Sequence, residues 1–455
     1  MSTLLARASV LQTYVLEFWR IKKPLIFALL TASFATGALA QPQLPSQPLS
    51  LETALHIAEQ RSQAILAQEA SALASQEMAV RAKELPDPIL QLSLNNLPVN
   101  GSMAYSISED FMTMRTLGIS QTFTGENKRQ ARANVFERKV HTAQIAKELT
   151  ISQLRRETAL AWFDRFYQQQ MVALLEEQQK EAKLQVNASE ASYRSGQGRQ
   201  SDIFLAKTTV AEIQDRILQA QASLKNATTT LTRWIGDTAY TSLVQPPDIT
   251  QSPIDKLHLT HQINEHPDIA VMVAQESVAR AEAEVARQEK RVDWTWSLMY
   301  SERSSAFSDM VSIGVNVPLQ WNQENRQDRV VAAELAKIEQ LRSEREEMIR
   351  QHIAETQRWL DTWNSNLIRL SDYQETLIPL ASQRTQATLA QYSGGNGELS
   401  EVLDARKIEI VTRIERLRIE METAAIWVAL EYLASHNAAI EYDATTQQSH
   451  FLETK

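Results

Sequence analysis

Glu401 and Asp404 stand one helical turn apart, directly after the glycine-rich segment Gly394-Gly395-Asn396-Gly397. Carboxylates there open a helix, where the dipole favours negative charge, so the chemistry they offer is electrostatic. His258, His261 and His266 cluster ahead of a later helix and could present imidazoles to a divalent metal. Their spacing fits no standard zinc pattern, and they read as a solvated surface. Cysteine is absent, which removes disulfides, thiolate metal sites, cysteine nucleophiles and an acylated lipoprotein anchor. No Ser/His/Asp order, phosphate-cradling glycine loop or carboxylate pair in a concave site stands out. An enzyme, a cofactor and a resident metal are therefore not expected.

The acidic pair belongs to a segment that occurs twice. Tyr193-Arg-Ser-Gly-Gln-Gly-Arg-Gln-Ser-Asp-Ile-Phe-Leu-Ala206 returns as Tyr392-Ser-Gly-Gly-Asn-Gly-Glu-Leu-Ser-Glu-Val-Leu-Asp-Ala405. The register pairs Tyr193 with Tyr392, Gly196 with Gly395, Gly198 with Gly397, Ser201 with Ser400 and Asp202 with Glu401. One structural unit is thus written twice, over residues 51–252 and 253–435. Only 11 glycines and 13 prolines interrupt 455 residues, and no proline lies between Pro98 and Pro246, so the elements are few and long.

Arg20, Lys22 and Lys23 precede an apolar run ending Ala38-Leu39-Ala40, so residues 1–40 read as a cleaved signal peptide. Removing them takes the net charge from −9 to about −12, which argues against nucleic acid as a partner on electrostatic grounds. A linker over 41–50 leads into helical periodicity from Leu51 to Lys83. Two strands follow, then a helix from Glu126 to about Ser192, and a return helix from Asp202 to Trp234. The second unit repeats the order: a helix over 267–291, strands over 294–303 and 310–319, a long helix to Gln391 and a return helix to Ser435. The polar tail, 436–455, reads as disordered.

The strands carry the compartment. Val311, Ile313, Val315, Val317 and Leu319 alternate with Ser312, Gly314, Asn316, Pro318 and Gln320, and Trp294, Trp296, Leu298 and Tyr300 share one face of the preceding strand. One apolar face and one small polar face over about ten residues is the lipid-out, lumen-in pattern of an outer membrane strand. Trp294, Trp296 and Trp321 then supply an interfacial aromatic belt. A soluble sheet with one buried face shares the alternation, but no other apolar surface is available to cover it. Four strands cannot close, so the barrel must be shared, and three chains give twelve strands with a lumen. Met103, Met112 and Met114 could suit Cu(I) but read as packing at the membrane interface. Lys128, Arg129 and Arg132 are placed to neutralise lipid phosphates or to solvate a helix start.

The doubled Tyr-x-x-Gly tips, with Ser-Asp-Ile-Phe-x-Ala and Ser-Glu-Val-Leu-Asp-Ala, resemble the TolC family of outer membrane factors over about residues 50–435. Pro86-Asp87-Pro88, Asn96-Leu97-Pro98-Val99 and Asp110-Phe111-Met112-Thr113-Met114 resemble its heavy-metal efflux branch. The resemblance implies a mainly α chain with a shared twelve-stranded β-barrel and a periplasmic α-helical tunnel. It implies a homotrimer in outer membrane lipid, docked through its glycine tips to a periplasmic adaptor and an inner-membrane transporter. It further implies a gate at Glu401, Asp404, Asp202 and Tyr392, with Tyr392 bonded to Asp202 and three copies of Glu401 and Asp404 ringing the entrance. A family arginine is replaced by Gly397, opposite Ser201, so one closing contact is missing: either the entrance opens more readily, or another residue such as Arg199 takes over. The expected cargo is heavy-metal cations; drug efflux, type I secretion and a periplasmic coiled-coil adaptor are the rival readings.

Overall fold

The computed structural model describes residues 48–251, 263 and 266–433. The signal peptide, most of the 41–50 linker, His258, His261 and the 436–455 tail lie outside the described residues.

Helix α1 spans Leu51–Arg61 and α2 spans Gln63–Lys83. The sequence pattern runs through the junction, but Ser62 is extended, at φ −71° and ψ 110°, and its hydroxyl accepts from the Ile65 N–H to cap α2. A serine that satisfies an orphan helix donor makes a break affordable without glycine or proline. Strands β1 (Ile89–Asn95) and β2 (Met114–Phe123) follow, then α3 (Glu126–Arg194). At 69 residues α3 is roughly 100 Å long. Helix α4 (Gln200–Ile235) returns alongside it and ends in a short 3-10 turn at Gly236–Tyr240.

The second unit places α5 at Pro267–Gln288, β3 at Trp294–Glu302 and β4 at Met310–Asn316. β4 is shorter than its alternation predicts, because Pro318 has no N–H to extend the ladder. Val317 and Leu319 therefore lie beyond it. Helix α6 (Gln327–Asp372) passes through one wide turn at Tyr373–Leu377 into α7 (Ile378–Ser393), and α8 (Leu399–Glu431) returns. The wide turn corrects the expectation of an uninterrupted helix. Pro379 cannot donate to the Glu375 carbonyl, and the Ile378 N–H instead reaches the Tyr373 carbonyl, five residues back.

The four strands form one antiparallel sheet in the order β1-β2-β3-β4, so the two units meet at β2 and β3. About midway along α3, where α4 and α8 reach their C-terminal ends, the largest core gathers Trp162, Phe163, Leu231, Ile235, Ala424 and Val428. Here the repeat shows in three dimensions. Trp162 donates its indole N–H to the Leu49 carbonyl at 3.4 Å, and Trp363 donates to the Ile249 carbonyl at 3.1 Å. Each long helix thus pins the segment that leads into its own unit. Leu49 also bridges Leu243 in parallel.

Candidate functional site

At the tips, α3 turns into α4 through Gly196 (φ +76°) and α7 into α8 through Gly395 (φ +79°). The Gln197 and Gly198 N–H groups both reach the Ser192 carbonyl at 3.0 Å, while Gly395 reaches Tyr392 and Asn396 reaches Gln391. The last glycine of each tip sits where a side chain would be crowded. A Cβ on Gly198 would stand 2.8 Å from Ser192 Oγ, and one on Gly397 would stand 3.2 Å from Gln391 Cβ. Two turns of matching construction hold α4 and α8 against their long helices. Ser201 is exposed, and the Ser400 hydroxyl donates to Glu398 at 3.2 Å.

Leu399, Val402 and Leu403 of α8 bury themselves with Ala206 of α4, packed against Val186, Leu389 and Tyr392. Burying that stripe turns Glu401 and Asp404 outward, and both carboxylates are exposed. The Tyr392–Asp202 bond implied by the resemblance is not made within the protomer. Asp202 caps its own helix, accepting the Arg199 N–H at 3.2 Å, and the Tyr392 hydroxyl is buried without a partner among the described residues. The contact across the tips comes instead from Arg199, whose guanidinium donates to Glu398 at 3.1 Å. That hydrogen bond, followed by the one from Ser400, holds the Glu398 carboxyl below the usual carboxylate range. Lys207 pairs with Glu190 at 2.9 Å, and Arg406 with Glu181, fastening the return helices to α3.

At the other end the register stacks the apolar residues into rungs. Leu92, Leu117, Tyr300 and Val311 form one, and Leu90, Ile119, Leu298 and Ile313 the next. They face outward uncovered, with Leu92 74% and Ile313 79% exposed. The band is closed on one side by the Arg115–Glu302 ion pair at 2.9 Å. On the side nearest the helices, Phe123 and Trp294 stack at 4.7 Å, with Trp296 one rung above. From Arg115 to Phe123 is about 27 Å along the strand, comparable to the apolar band of an outer membrane barrel. Trp321 lies beyond β4 and is 85% exposed. The opposite face is mostly small and polar: Thr116 bonds Ser301 at 2.9 Å and Thr122 bonds Thr295 at 2.8 Å. Met103 and Met112 are exposed and Met114 half-buried.

Two sequence readings are corrected. Lys128 is 4% exposed, paired with Asp293 at 2.9 Å and donating to the Arg291 carbonyl at 2.7 Å. Arg132 pairs with Glu289 at 2.6 Å and Arg129 donates to the Thr124 carbonyl at 3.2 Å. Lys128 and Arg132 tie α3 to the approach to β3, and Arg129 ties the start of α3 to the segment before it and to the end of α2; they are not spread over phosphates or water. His266 is not part of a solvated surface either. It is buried at the start of α5, its ring 4.9 Å from that of His352 on α6. Glu398 and His352 were missed because each acquires meaning only from a partner far along the chain.

Residues 54–237 match the family model described as outer membrane efflux protein. No curated protein matches the chain. Among solved structures the fold is similar to the channel CusC, at 16% identity and a TM-score of 0.71, covering 84% of this chain and 91% of that one. It is similar to the CmeC outer membrane channel of Campylobacter jejuni, at 12% identity and TM-score 0.70, covering 88% of each chain. It is also similar to the open state of the MtrE outer membrane channel of Neisseria gonorrhoeae, at 14% identity and TM-score 0.66, covering 84% and 88%.

Proposed function

We infer that this chain, whose residues 54–237 match the outer membrane efflux protein family model, works as a homotrimeric exit duct across the outer membrane. Three four-stranded sheets close a twelve-stranded barrel, and the helices continue into the periplasm as a tunnel. One observation carries this reading: an apolar sheet face that nothing covers among the described residues, on a sheet whose outer strands β1 and β4 each have an edge unpaired among them. In lipid each unpaired backbone group costs several kcal/mol, so neighbouring copies must supply the pairing. Helix α6 supports the same conclusion, since Val330, Leu335 and Ile368 lie exposed along it. Among the described residues no helix is long and apolar enough to cross a membrane, and a barrel needs none.

The duct is passive. Its glycine tips meet a periplasmic adaptor and an inner-membrane transporter that supplies the energy. Three copies of Glu401 and Asp404 line the constriction, where clustered carboxylates favour cations. Heavy-metal cations are the proposed cargo, supported by that charge and by the hairpin segments around Pro86 and Asp110. In detergent the protein should run as a trimer, and in planar bilayers it should conduct cations, with conductance lowered by Glu401→Gln with Asp404→Asn. A water-soluble monomer without detergent would overturn the duct. Unchanged zinc, cobalt, cadmium and copper tolerance in a deletion strain, with drug tolerance lost, would overturn the cargo alone.

A further inference from the structure

His266, Asp268 and His352 come from two helices of the second unit and converge far from the tips and the sheet. We propose that they form a binding site for a divalent transition metal of the zinc class, joining the start of α5 to the middle of α6. The ligand-bearing atoms of the three side chains all lie within 4.8 Å of one another. His266 Nδ1 stands 3.6 Å from Asp268 Oδ2, and His352 Nε2 stands 3.7 Å from the same oxygen. Tetrahedral zinc with bonds near 2.0–2.1 Å needs ligand atoms about 3.3 Å apart, so small side-chain adjustments close the set.

The second observation concerns His352 itself. Its ring is only 12% exposed, and both ring nitrogens are buried with no hydrogen-bond partner among the described residues. Buried polar atoms are ordinarily satisfied, and an imidazole with neither nitrogen engaged calls for an explanation. A metal on Nε2 engages one of the two. Two imidazoles and one carboxylate, with a fourth position for water, is a donor set that suits zinc and its borderline neighbours and disfavours magnesium or calcium.

His266 now caps α5, its Nδ1 accepting the Asp268 N–H at 3.1 Å. Metal binding takes that lone pair, exchanging one capping hydrogen bond for a metal bond. The consequence is mechanical: the ion staples the beginning of one long helix to its neighbour. The site stands apart from the export reading, since a duct with an organic cargo could hold the same ion.

The test uses the untagged full-length protein in detergent, stripped with a chelator and titrated calorimetrically with zinc chloride. A single zinc per chain is expected, with affinity reduced by roughly a hundredfold or more in His352→Gln and in Asp268→Asn. Equal stoichiometry and affinity in both variants would overturn the site, as would no binding by the wild type. Should either variant melt early, X-ray absorption of the cobalt-loaded wild type decides: imidazole scattering from two ligands supports the site, and an all-oxygen shell refutes it.

Discussion

An ion pair in open water contributes little to stability, because solvent screens it and two long side chains lose freedom in forming it. Arg199–Glu398 is such a pair, with both side chains well exposed, so its value lies in where it acts. It joins the first tip to the second, which in the proposed duct is where the chain would have to part for the entrance to widen. Arg199→Ala and Glu398→Gln should each raise the conductance of the resting channel in planar bilayers while leaving the melting temperature unmoved. Combining them should add nothing further, and unchanged conductance in both would remove the latch. His266 gives a different kind of prediction. Burial above all holds its imidazole down to about 4, against the pull of Asp268 and with help from His352 and Arg156. The unfolded chain takes up a proton near pH 6.5, which the folded chain refuses until about pH 4. Stability is therefore complete above 6.5 and falls as pH drops toward 4, by at most about 3 kcal/mol from this group. In metal-free buffer, His266→Asn, which keeps an N-cap, should melt with a shallower loss between pH 7 and pH 4.5 than the wild type. Parallel profiles would show that His266 does not set the acid sensitivity.

The elements were legible where the code is local. Alternation placed β3 and most of β4, and the scarcity of glycine and proline foretold helices such as α3 to within a few residues. The two glycine tips announced themselves by repetition, and the backbone explains why: Gly196 and Gly395 occupy the left-handed region. Gly395→Ala meets nothing within 4 Å, so strain alone should destabilise it, by about 1–2 kcal/mol in denaturant melts of the assembled protein. No loss would mean that the turn relaxes to another conformation. What the sequence concealed was decided by partners or by weak punctuation. The break at Ser62 depends on one hydroxyl capping a helix within an Ala/Gln-rich pattern, and the wide turn before Pro379 depends on a single missing donor. The burial of Lys128 and the meeting of His266 with His352 arise only when α3 meets the approach to β3 and α5 meets α6. Long-range pairing leaves no periodicity to read.

At the scale of the whole molecule the two faces of the sheet pose opposite problems, and that opposition can be tested with one kind of substitution. Ile313 and Ser312 are adjacent on β4 and point to opposite sides. Ile313 belongs to the apolar rung with Leu90, Ile119 and Leu298, while Ser312 lies opposite Met299 on the other face. If the apolar face meets lipid, arginine at Ile313 near the middle of the band should cost about 2–4 kcal/mol. Arginine at Ser312 would instead enter a water-filled lumen at little cost in stability. Ile313→Arg should therefore fold poorly into liposomes and lose its resistance to protease, whereas Ser312→Arg should insert normally. The inserted variant would place three positive charges around the barrel and lower its preference for cations, which the reversal potential in a salt gradient reads directly. The contrast depends on geometry as well as charge, because the substitutions are one residue apart in the chain and chemically the same. Equal insertion of both variants would mean that the rungs pack against protein, and the shared barrel would have to be abandoned.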